Sequence, residues 1–309
     1  MNTRSGVSHQ ELLSTYRFVR LAMPGLALLL ALSVGIQVFS PQPDCWLGSI
    51  SAYYYTPARA VFVASLCAIG TCLFVYRGTT LREDAILNLS GVLAFFVAFI
   101  PTPLADATTG AGTLCGRSNV PSDVQLQAAL DNNIVSGLVA LVAVAIAYWV
   151  FGGFLREGRG RPAAGSVVAA FVVAAVPVAL YVARPERFEQ LGHYVAAIGL
   201  FCGVIAMIVM HAWPERFAGR TSDGEKPHTE EKFQRIYACV IVVMALILAA
   251  SLVMKLVLHL DNALFLLESG LIAAFTFFWS VQTWENWGVE NAEAAATAAA
   301  TPAPEDARR

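Results

Sequence analysis

The chain has 309 residues, 57% of them hydrophobic and 14% charged, with a formal net charge of −2. A soluble domain carries about 25% charged residues and a nucleic-acid binder carries a basic excess, so both classes are excluded. Runs of some 18 to 24 residues recur that are apolar all round rather than striped, the signature of transmembrane helices.

Residues 1–17 are polar and read as a cytoplasmic N-terminal segment. Arg20 opens an apolar run that reaches about Phe39. Its length and the lack of a small-x-small site after it point to a retained first helix rather than a cleaved signal. A polar, aromatic block follows, Ser49-Ile-Ser-Ala-Tyr-Tyr-Tyr-Thr-Pro-Ala-Arg59, the densest group of hydroxyls in the chain. The second run goes from Arg59 to Tyr76, and the third from about Ala85 to Thr102, where Pro101 and Pro103 stop it. A loop reaches Asn132, and then come runs at about 133–155, 164–183, 191–211, 236–258 and 262–283. From Asn291 the chain is Ala-rich with Pro302 and Pro304, and residues 285–309 read as a disordered cytoplasmic tail. The expected fold is all-α and polytopic, one domain of eight transmembrane helices over residues 18–284.

Eight helices put both termini on one side. That side collects fifteen of the 20 Lys and Arg residues, in groups such as Arg77–Arg82, Arg156–Arg161 and Arg216–Arg235. The other side collects Arg59, Arg117, Arg184 and Arg187. The positive-inside rule makes both termini cytoplasmic and the Ser49–Arg59 block extracytoplasmic, in the cell membrane (the inner one in a bacterium).

Cys67, Cys72, Cys202 and Cys239 fall inside predicted helices as small apolar fillers. Cys45 and Cys115 fall outside, where they are either bridged or free thiols.

Ionisable groups inside a bilayer are costly and each needs a reason. Lys255 and His259 are four apart, which puts them on one face. Glu268 lies about 9 Å into the last helix at 1.5 Å per residue. The short link His259-Leu-Asp-Asn262 makes the last two helices antiparallel neighbours, so a Lys255–Glu268 ion pair is expected, with snorkelling of Lys255 as the alternative. His193 and Asp131 stand at outer helix starts; His211, Glu285 and Glu290 fall on the inner side, next to solvated loops. Glu268, Phe275, Trp279 and Gln282 share one face that should look at protein rather than lipid.

The run Ser49-Ile-Ser-Ala-Tyr-Tyr-Tyr-Thr56, with Arg59-Ala-Val-Phe-Val63, Tyr76-Arg-Gly78, Glu83-Asp84, Asn88, Gly91 and Pro101-Thr102, resembles a widespread family of uncharacterised bacterial multi-pass membrane proteins. The first 100 residues carry the likeness; later matches are Gly192-His193, Tyr237 and Glu268. The chain is longer than usual members by a helical pair near 133–183. More distantly it is similar to the damage-regulated autophagy modulators and the glycolipid-anchor remodelling proteins, and through them to alkaline ceramidases. That second resemblance implies a zinc held by histidines, with Ser and Asp nearby. Among five histidines only His193 and His259 are suitably placed, so a three-ligand set needs Glu268 or Asp261.

Three functional readings stand. In the leading, non-enzymatic one, an outer polar cavity lined by Ser51, Tyr53, Tyr55, Arg59, His193, Lys255 and Glu268 binds a membrane lipid or small ligand, whose phosphate or carboxylate meets Arg59 and Lys255. In the second, a lipid hydrolase uses Glu268 or His193 as base and Ser49 or Ser51 as nucleophile. A transporter is the third, although internal repeats are not evident. No phosphate-loop, dinucleotide or H-E-x-x-H motif occurs, and the sequence names no cofactor.

Overall fold

In a computed structural model the protein is all-helical; the structure describes residues 9–39, 46–76, 78–103, 125, 128–137, 139–140, 143, 179–217 and 229–300. Helix α1 spans His9–Val38, α2 Arg59–Val75, α3 Leu81–Phe99, α4 Pro185–Ala212, α5 Glu231–Leu256 and α6 Ala263–Ala300. A 3₁₀ turn, Ser51–Tyr55, lies between α1 and α2. The predicted runs at 133–155 and 164–183 lie mostly outside the described residues, as do Cys45 and Cys115.

Each helix packs on the next, and α6 closes back on α1, so the six form a ring. The stripe that α1 buries is Arg20, Met23, Ala27, Leu30 and Val34, spaced by three and four residues. Its other face carries Phe18, Leu28, Leu32 and Ile36 exposed, and α5 likewise exposes Val242, Leu246 and Val253. Large apolar side chains facing outward along whole helices suit a lipid solvent. Four helical stretches are long and apolar enough to cross a bilayer: Ser14–Val38, Gln190–Ala212, Glu231–Leu256 and Ala263–Trp287. α2 is shorter, at 17 residues.

Small residues set the closest crossings. A Cβ placed on Gly70 would lie 2.8 Å from the Gly91 carbonyl, and one on Gly91 2.7 Å from that of Gly70. α2 and α3 therefore meet backbone to backbone, as small-residue interfaces allow. The connection between them is pinned: the Thr80 hydroxyl caps the Glu83 amide, Glu83 accepts from the Thr79 amide and hydroxyl, and Asp84 accepts from the Gly78 amide. The Glu83-Asp84 pair is thus the N-terminal staple of α3, where carboxylates also meet the helix dipole favourably.

Several boundaries differ from the sequence reading, three of them with consequences. α1 begins at His9, which carries Arg20 well inside the helix. α5 ends at Leu256, because the Leu258 and Leu260 amides turn back to the Val253 and Met254 carbonyls and His259 adopts φ 52. His259 is exposed in that turn and does not continue the Lys255 face. α6 runs on to Ala300, so the segment from 285 expected to be disordered is helical through that residue. The stretch is rich in Ala, the strongest helix former.

Candidate functional site

The Ser49–Arg59 block turns inward. Residues 47–56 are all buried, although the backbone there is non-helical except for one 3₁₀ turn. Buried backbone amides need acceptors, and α6 supplies them. Glu268 Oε2 accepts from the Ile50 amide at 2.6 Å and the Ser51 amide at 3.2 Å. Its Oε1 accepts from the Ser51 hydroxyl at 3.1 Å. In return the Phe265 amide, one of the free N–H groups in the first turn of α6, donates to the Gly48 carbonyl at 2.7 Å. Glu268 therefore caps, from another helix, the turn that begins at Ser51.

The tyrosines hold the same segment. The Tyr53 hydroxyl accepts from the Leu47 amide, and Tyr55 donates to the Thr102 carbonyl at 2.6 Å. Burial pushes both phenols above their ordinary range, which keeps the Tyr55 proton on the donor. Thr56 donates to the Tyr53 carbonyl and caps the Ala58 amide, and its extended backbone meets the demand of Pro57.

Below this segment lies a narrow cavity of about 70 Å³. It follows the ring interior between Leu30 of α1, Phe62 and Leu73 of α2, Leu200 and Val204 of α4, and Phe275 of α6. Phe62 to Leu73 is eleven residues of helix, about 16 Å. Among the described residues Ser51 and Glu268 are the only polar side chains in its lining, and they stand together at one end. A second, open groove of about 650 Å³ lies outside the ring, between Tyr54, Arg59 and Ala64 on one flank and Phe99 and Asn133 on the other.

The expected site residues separate. Ser51 and Glu268 come together. Tyr53 and Tyr55 are buried in the turn and do not line the cavity. Arg59 donates to the Tyr54 hydroxyl at 2.7 Å, stacks its guanidinium on that ring, and faces the outer groove. His193 is buried with Nδ1 2.6 Å from the Ile100 carbonyl, and its Nε2 has no hydrogen-bond partner among the described residues. The expected Lys255–Glu268 pair is not formed: Lys255 is exposed, and Glu268 is turned inward onto Ile50 and Ser51. The amides of a buried turn are nearer partners than a cation that can reach water. His193, His259 and Glu268 do not assemble as ligands, and no group of three His, Cys, Asp or Glu suited to a metal occurs among the described residues.

A second polar layer, at the other end of the ring, was not expected. Arg20 is buried, donating to the hydroxyls of Tyr76 at 2.5 Å and Tyr16 at 3.1 Å, with its guanidinium over both rings. Tyr237 donates to Glu285 at 2.5 Å, and Gln282 Nε2 lies 2.7 Å from His211 Nε2. Trp279, Phe278 and Tyr237 pack edge to face above this layer. Glu268 and Gln282 are fourteen residues apart on α6, so the two layers lie about 21 Å apart. The shared face of Glu268, Phe275, Trp279 and Gln282 carried the signal: its inner members are buried as fully as a core. Counting Arg20 as a loop charge and His211 and Glu285 as solvated hid the layer. No protein-family model, curated protein or solved structure matches this chain.

Proposed function

We propose that the chain is an eight-span protein of the cell membrane, with both termini cytoplasmic, that binds the apolar chain of a membrane amphiphile in the ring cavity, its polar head at Ser51 and Glu268. The carrying observation is the cavity itself: about 70 Å³ between the helices, with a lining that runs about 16 Å along α2 and that is apolar among the described residues except for one hydroxyl–carboxylate pair at one end. Ligand pockets of about 300–1,000 Å³ combine an apolar body with a few convergent polar groups, so an alkyl chain enters this smaller cavity by parting the side chains around it.

The span count rests on the end of α3 and the start of α4. His193 contacts the Ile100 carbonyl, and Asn133 donates to the Phe99 carbonyl. Tyr181 bonds Asp131 and packs on Phe188. The chain thus leaves and re-enters this end between α3 and α4, which supports an even number of spans there, and the two apolar runs in that interval supply two. The charge asymmetry then makes this end extracytoplasmic.

Binding is preferred to hydrolysis for a chemical reason. Ser51 donates to a carboxylate, as a nucleophile must. The Ile50 and Ser51 amides, however, already bond Glu268 and are not available to an acyl oxyanion. A transport path is disfavoured by the close packing of Trp279, Tyr76 and Phe278 at the inner end.

The test is native mass spectrometry of the full chain released from mild detergent, beside a variant in which Ala197, a residue of α4 that lines the slit, is changed to fill it, Ala197→Phe. An amphiphile adduct on the first that is missing from the second supports the reading. Equal spectra refute it.

A further inference from the structure

We infer that the head of this ligand is a hydrogen-bond donor, a long-chain primary alcohol or amine, and that long-chain carboxylates and phosphates are rejected. The inference rests on the reading of the slit as a binding site and adds the chemical class of its occupant.

A carboxylate offers about four acceptor positions. On Glu268 three are filled, by the amides of Ile50 and Ser51 on Oε2 and by the Ser51 hydroxyl on Oε1. One acceptor position remains on Oε1. The Ser51 hydrogen is directed at Glu268, which leaves its oxygen as an acceptor too. Both amides at this end already donate to Glu268. The polar end of the slit therefore presents acceptors and no free donor among its lining residues.

The charge at this end has the same sense. Among the described residues no cation lines the slit: Arg59 is held on Tyr54 in the outer groove, and Lys255 is exposed. An anionic head would meet the Glu268 carboxylate in apolar surroundings with nothing to offset it. A hydroxyl or ammonium fills the remaining acceptor position.

The full chain in phosphatidylcholine nanodiscs is offered dodecan-1-ol, dodecylamine or dodecanoate at equal concentration, and bound ligand is counted by native mass spectrometry. The wild type should retain the alcohol and the amine at least ~10-fold better than the carboxylate, the scale of one hydrogen bond to a charged group. Glu268→Gln should bring the amine and the carboxylate to within about twofold. Ser51→Ala keeps both amides on Glu268 and frees more of Oε1, so its preference for the amine should persist even if Glu268→Gln does not fold.

Equal retention of all three, lost from each in Ala197→Phe, would overturn the head-group inference and leave the slit reading standing. Preferential retention of dodecanoate would do the same. Retention no better than in Ala197→Phe for every ligand would overturn both.

Discussion

The Ser51 hydroxyl and the Glu268 carboxylate, 217 residues apart in sequence, lie 3.1 Å apart, and the Ser51 amide donates to the same carboxylate. This contact fastens the in-turning segment to the last helix. Glu268→Ala leaves two buried amides without an acceptor and should destabilise the protein by about 2–3 kcal/mol, against about 1 kcal/mol for Ser51→Ala. Thermal unfolding in detergent, read by loss of tertiary signal, checks the order. Equal and negligible effects would mean that the turn is held by its tyrosines alone.

Lys255 is exposed and apart from Glu268. Lys255→Gln should therefore change stability by no more than about 0.5 kcal/mol. A loss on the scale of Glu268→Ala would restore the ion pair that the sequence suggests.

Arg20 joins Tyr16 and Tyr76 at the inner layer. Tyr76→Phe removes a charge-assisted bond and should cost about 1.5–3 kcal/mol. Arg20→Lys should cost nearly as much as Arg20→Met, because an ammonium cannot lie against the stacked Tyr16 and Tyr76 rings and bond both hydroxyls as the planar guanidinium does. Full rescue by lysine would mean that charge alone matters. The comparison is read from unfolding midpoints.

Gly70 and Gly91 allow α2 and α3 to touch. Gly70→Ala should cost about 1–3 kcal/mol, since the obstacle is backbone that cannot rotate aside. Gly25 on α1 has nothing within 4 Å of the added methyl. Gly25→Ala should be neutral or stabilising by up to about 1 kcal/mol. A cost at Gly25 matching that at Gly70 would argue against the helix arrangement.

The membrane orientation is checked by cysteine labelling. In a cysteine-free background, His259→Cys should react with an impermeant maleimide in intact cells, and Arg216→Cys only after permeabilisation. Both positions are exposed, so the side of the membrane decides the outcome. The reverse pattern would invert the topology.

The helical architecture was legible because bilayer helices write themselves as unbroken apolar runs. α1, α4, α5 and α6 are readable to within several residues at most of their ends. The Ser49–Arg59 block was also legible as the place of interest, and Glu268 as a group needing a partner. What failed was the choice of partner. Proximity along the short link favoured Lys255, while the actual acceptor demand came from amides of a segment far away in sequence, which no periodicity reveals. The inner layer failed for a related reason. Arg20 was counted with the loop charges, yet it sits in register with Met23 and Ala27 on the buried stripe of α1. A cation at a stripe position is the signal that marks it as buried.

Uptake of an alkyl chain by the ring interior, rather than by the outer surface, is read out by photo-cross-linking, using a long-chain alcohol with a diazirine at the chain terminus on the intact protein in nanodiscs. Labelling should fall on Leu73 of α2, Val204 of α4 and Phe275 of α6, and be suppressed by Ala197→Phe. Labelling confined to the outward residues Leu28, Leu32, Val242 and Leu246, unchanged in the variant, would contradict it.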